Sequence, residues 1–105
     1  MIGPGAASVS LHYKKLVGCR YLEAGLTLRF AAAREYSFAS TAEWPAGCDY
    51  SNTVRLAVEE VLVRQHGAIP AIAVVLEEIA FHEIHSSQVA FKQATMAAVE
   101  AAYRV

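Results

Sequence analysis

Hydrophobic and polar positions in this chain repeat with two different periods. Between residues 11 and 40 the period is two. Leu11, Tyr13, Lys15 and Val17 share one parity, against His12, Lys14 and Leu16 on the other. Leu26, Leu28 and Phe30 alternate with Thr27 and Arg29, and Tyr36, Phe38 and Ser40 alternate with Ser37 and Ala39. Alternation puts successive side chains on opposite faces of a strand, so three strands are expected. Gly18 to Gly25 is expected to be a turn, and Ala31 to Glu35 a hairpin connection between the second and third strands. Met1 to Ser10, with Gly3, Pro4 and Gly5, reads as a flexible tail ahead of a single domain over residues 11–105.

The breaker cluster Trp44-Pro45-Ala46-Gly47 separates this region from one with a helical period. Val54, Ala57, Val58, Val61 and Leu62 fall at i, i+3, i+4, i+7 and i+8, while Arg55, Glu59, Glu60 and Arg64 lie off that face. Asp49 or Ser51 is placed to cap this helix, Gly67 to close it, and Pro70 to stop it. Ile72 to Ile84, rich in β-branched and aromatic residues, predicts a long strand. A second helix is expected from about Ser87 to Tyr103, opened by His85 or Ser86. Ala90, Ala94, Ala97, Ala98 and Ala101 thin its side-chain layer, so it can lie close to a neighbouring element. The order β-β-β-α-β-α predicts an α+β fold, a two-layer sandwich with one sheet face against both helices.

Composition narrows the function. The chain has 105 residues, 55% hydrophobic and 18% charged, with 9 Lys+Arg against 10 Asp+Glu. One domain with its own core fits this length. Near-neutral charge argues against general nucleic-acid binding, which needs an excess of Lys and Arg, and limits any such contact to a local patch. Two cysteines, Cys19 and Cys48, do not make a disulfide scaffold; they leave room for one bridge, and two buried, reduced thiols are the expectation. The sequence shows neither a signal peptide nor an apolar run long enough to span a membrane, so a cytoplasmic location is expected.

The run Phe81-His82-Glu83-Ile84-His85-Ser86-Ser87-Gln88-Val89-Ala90-Phe91-Lys92 resembles domain IV of translation elongation factor G. That family carries an aromatic-His-acid-Val-Asp-Ser-Ser-Glu-x-Ala-Phe-Lys run at the same place. Tyr50 to Leu62 resembles the family helix that begins at a Tyr, and Gly67-Ala68-Ile69-Pro70 with Ile72 to Leu76 resembles its strand entry. Coverage runs from about Leu26 to Tyr103. The resemblance implies a fold like domain 2 of ribosomal protein S5, with a left-handed βαβ crossover. It also implies a tip that contacts RNA in the ribosome, with His82 at the position of the tip histidine. The chain departs from the family at His85, where the family has Asp, and at Gln88, where it has Glu. His85 with Gln88 is expected to make only a weakened capping box. The family's Gly-rich basic loop is not recognisable in Gly18 to Gly25. The P-loop pattern is absent, so no GTPase engine or nucleotide cofactor is expected.

The candidate RNA-binding residues are therefore His82, Glu83, His85, Ser86, Ser87 and Lys92. Each has a plainer reading. Histidines beside a helix start are often just exposed, and serines there are usually caps rather than nucleophiles. A surface lysine is usually solvated. The His-Glu-x-His spacing is not the zinc motif His-Glu-x-x-His and lacks a fourth ligand, so no metal is expected. Glu77 and Glu78 are expected on opposite faces of their strand, unable to converge on one substrate atom. Lys14, Lys15 and Arg20 form the densest basic stretch, read either as a phosphate contact or as a solvated strand. Trp44 is expected to anchor its turn over the core. No nucleophile–base pair is evident, and no enzyme is expected. The expected function is a non-enzymatic, translation-associated module binding ribosome or RNA. The alternative is a protein–protein module, most simply a homodimer, motivated by the sheet face that the helices leave uncovered.

Overall fold

The computed structural model describes residues 6–83 and 85–103. The elements are β1 (Ala6–Val17), β2 (Arg20–Ala32), β3 (Ser37–Ser40), α1 (Ser51–His66), β4 (Ile72–Ala80) and α2 (Gln88–Ala102). They form the α+β sandwich that the pattern predicts. One core joins Leu26, Leu28 and Phe30 of β2, Val74 and Leu76 of β4, Val54, Val58, Val61 and Leu62 of α1, and Phe91, Ala94 and Val99 of α2. Ala90, Ala94 and Ala98 are fully buried, so the backbone of α2 lies close to β1 and β2.

The sheet differs from the expected one in three respects. First, β1 begins at Ala6, inside the stretch read as a tail, and Val9 packs against the core. The strand pattern of Ala7, Val9 and Leu11 is hidden in the sequence by the small residues around it, and Met1 to Gly5 lie outside the described residues. Second, the turn is only Gly18-Cys19, with Val17 paired to Arg20. Gly18 has φ +65°, a conformation that glycine adopts without steric cost. Gly25 lies within β2 opposite His12. Third, β2 and β3 do not form a hairpin. The order is β1-β2-β4-β3, with β4 antiparallel to β2 and parallel to β3. The most apolar strand, β4, takes the interior position between two partners, and the four-residue β3 takes the edge.

A bulge corrects the reading of Glu77 and Glu78. Leu28 pairs with Leu76 and Thr27 pairs with Glu78, so Glu77 is an extra residue in β4. Both carboxylates then lie on the face away from the helices, beside Glu43 in an open cavity of about 440 Å³. Ser8 donates to Glu77 across the sheet at 3.3 Å. Beyond the bulge Ile79 returns to the core face opposite Leu26. The strand ends at Ala80, earlier than expected, and Ile84 lies outside the described residues.

Asp49 accepts from the Ser51 N–H at 2.8 Å, while the residue preceding α1 is Tyr50, which makes no side-chain cap. Gly67 closes α1, its N–H donating to the Val63 carbonyl at 2.8 Å. Ser87, one residue later than expected, caps α2 by accepting from the Ala90 N–H at 3.1 Å. The capping box does not form, because Gln88 now starts the helix and its Nε2 donates instead to Thr53 Oγ1 at 3.0 Å. Cys19 and Cys48 are free thiols, but neither is buried: Cys19 sits on the hairpin turn and Cys48 in the loop before α1. Among the described residues no helix is long and apolar enough to cross a membrane.

Candidate functional site

The β4–α2 connection and the far end of the β1–β2 hairpin meet at one end of the sheet. The β2–β4 ladder stops at Gly25 and Ala80, yet β2 continues to Arg20. The backbone of Glu23 therefore needs other partners, since unpaired main-chain groups are costly when shielded from water. The turn supplies both. The Glu23 N–H donates to the His85 carbonyl at 3.0 Å, and Ser86 Oγ donates to the Glu23 carbonyl at 2.7 Å. The same hydroxyl accepts from the His82 N–H at 2.8 Å, and the Ser86 N–H donates to the His82 carbonyl at 2.8 Å. Ser86 thus takes the place of the missing strand partner and closes the turn in one step.

Beneath the turn, four rings fix its two ends. Phe81, at the exit of β4, stacks on Phe91 with centroids 6.0 Å apart and on Tyr50 at 6.3 Å. Trp44 meets Phe91 edge-on at 4.9 Å and Tyr50 at 5.8 Å, anchoring its loop over the core. Such pairs add to the stabilisation from area burial alone.

The turn presents its imidazoles outward. His82 and His85 stack with centroids 4.6 Å apart and planes inclined by 17°. The His85 N–H donates to His82 Nδ1 at 3.2 Å, which fixes that nitrogen as an acceptor. His85 also meets the edge of Tyr21 at 5.8 Å, and the Lys14 ammonium lies 5.0 Å above the same Tyr21 ring. Tyr21 is 43% exposed. On the adjoining sheet face, His12 Nε2 donates to Glu23 Oε2 at 2.8 Å. That hydrogen bond, reinforced by the charge of Lys14, holds the Glu23 carboxyl below the ordinary carboxylate range despite some desolvation. A small cavity of about 110 Å³ opens between His12, Glu23, Phe81 and His82.

Of the six candidate residues, the structure gathers five into this turn. His82 and Glu83 are exposed, and His85 is half-buried. The hydroxyls of Ser86 and Ser87 are engaged in holding the turn and capping α2. Lys92 stands apart, in a groove between α1 and α2. Of the basic stretch, Lys14 and Lys15 are exposed, and the Arg20 side chain lies outside the described set. Sequence reasoning missed His12, Tyr21 and Glu23. The signal was available: Leu22 and Ala24 carry the alternation of Leu26, Leu28 and Phe30 backward, which puts Tyr21 and Glu23 on the opposite face of the same strand. Among the described residues no group of three His, Cys, Asp or Glu side chains is arranged to hold a metal ion.

No family model and no curated protein matches the chain. Its fold is similar to one in the crystal structure of ttk003000868 from Thermus thermophilus, with a TM-score of 0.77 and 22% sequence identity. The match covers 92% of this chain and 15% of that one, so the chain spans less than a sixth of the length of the protein it resembles in structure.

Proposed function

We propose that the chain is a non-enzymatic module like domain IV of elongation factor G, binding ribosomal or other RNA through the 82–87 turn and the hairpin beside it. The observation that carries this reading is the joined array of His82, His85, Tyr21 and Lys14 at one exposed end of the sheet. Rings of this kind stack on unpaired bases, and imidazole and ammonium groups hydrogen-bond phosphate or 2′-OH. The array also supplies a local patch that the near-neutral overall charge does not forbid. The match of the Phe81–Lys92 run to the family motif supports the same reading.

Ribosome co-sedimentation over a salt series tests the proposal. The wild-type chain is expected to pellet with ribosomes at low salt and to release as salt rises. Replacing Tyr21 and His85 together by Ala is expected to lower the affinity about tenfold or more, the scale of one lost base stack. Equal binding by wild type and the double variant, or no binding at low salt, rejects the reading.

A further inference from the structure

The apolar surface that suggests self-association is not on the open sheet face. Ser8, Ser10, His12, Thr27, Arg29 and Glu78 make that face largely polar. Three exposed aliphatic residues, Leu56 (52%), Val63 (43%) and Val89 (55%), lie on the outside of the helix layer, while Leu16 and Val17 are exposed at the tip of the β1–β2 hairpin and Ile69 in the loop after α1. There α1 and α2 run side by side in the same direction. Gln88 and Thr53 join their starts at 3.0 Å, and Arg64 and Glu100 join their ends at 3.1 Å. Between these two clamps lies a groove of about 380 Å³ with Leu56, Ala57 and Val89 in its walls. Glu60 on α1 and Lys92 on α2 line the same groove. Both are exposed, and they form no ion pair with each other or with another described residue.

We propose that this groove is a two-fold interface between copies of the chain. A two-fold axis running along the groove lays α1 of each copy over α2 of the other. The apolar residues then meet at the centre, and Glu60 of each copy faces Lys92 of the other. The opposite charges on the two helices make the surface complementary to itself, as an isologous contact requires. An apolar centre flanked by charges that set register is the usual anatomy of such an interface. The proposal is independent of the RNA reading, whose residues lie on the turn and hairpin.

Sedimentation velocity of the purified chain over a concentration series tests it. The wild type is expected to dimerise. Lys92→Glu and Glu60→Lys are each expected to weaken self-association about tenfold or more, because each places like charges opposite one another. Mixing the two variants is expected to restore a dimer, since every facing pair is then again of opposite sign. Restoration on mixing excludes simple misfolding of either variant. A wild-type chain that stays monomeric at its highest soluble concentration overturns the proposal, and so does a dimer that both variants leave unchanged. The first result would leave the groove to a different occupant, such as another part of a longer protein.

Discussion

Ser86 shows how a residue singled out for contact with a partner is needed first by the fold. Its hydroxyl donates to Glu23 and accepts from His82, two main-chain groups that the β2–β4 ladder does not reach. Ser86→Ala leaves both without that partner and is expected to cost about 1–3 kcal/mol, measured by urea unfolding. A cost within experimental error would show that water replaces the hydroxyl. Gly25 is a second such residue. A Cβ there would stand 2.8 Å from Ala80 Cβ, which forces a shift, and 3.1 Å from His12 Nδ1, which presses on the ring that holds Glu23. The consequence reads out in acid. Because the folded pKa of Glu23 is lowered, its contribution to stability is present above the ordinary carboxylate value and fades as pH falls through the lowered one. His12→Ala and Gly25→Ala are both expected to raise the Glu23 pKa toward the ordinary range in a carboxyl-carbon NMR titration. An unchanged titration would mean that the charges of Lys14 and His82 sustain the shift without His12. None of these roles is visible in a linear pattern. Each depends on which backbone group is left over once the strands have paired.

The bulge in β4 does the same at the scale of an element. Read as a regular strand, Leu76-Glu77-Glu78-Ile79 breaks the alternation, because Leu76 and Ile79 have opposite parity but both belong to the core. One extra residue between Leu76 and Glu78 resolves the conflict, and the register shift lies there. Deleting Glu77 therefore leaves the alternation Leu76, Glu78, Ile79 intact and is expected to change stability by about 1 kcal/mol or less. Deleting Val75 instead turns Ile72 and Val74 outward and is expected to prevent folding, because a one-residue slip reverses every side chain beyond it. Circular dichroism and thermal melts of the two deletions separate these outcomes, and equal damage from both would contradict the register. The helices are the most legible elements. The apolar positions of α1 are those its period marks, and Gly67 closes it where the sequence places a C-terminal glycine. The helix starts are less legible, because several side chains able to cap stand close together in each case; geometry selects Ser87 for α2, while α1 starts after Tyr50 with no side-chain cap.

For the whole molecule, the layers and the order of elements can be read from the chain, but the order of strands within the sheet cannot. Local alternation says that a segment is a strand and is silent on its neighbours. The expected β2–β3 hairpin follows from closeness in sequence, and the buried apolar edges of β4 outweigh it. The insertion of β4 divides the molecule in a way the element order does not suggest. Residues before Thr41 build β1, β2 and β3 but leave a gap between β2 and β3, and the strand that fills the gap comes from the segment after Tyr50. That segment carries both helices, so neither half holds a complete sheet or a complete core. A cut in the loop from 41 to 50 would separate a socket from the part that fits it. Each fragment would be unfinished alone, and association of the two would rebuild the domain by strand insertion. The same socket is open in a chain still being synthesised until residue 80 has emerged, so the candidate site, which depends on Glu23 meeting Ser86, cannot form until the sheet has received β4.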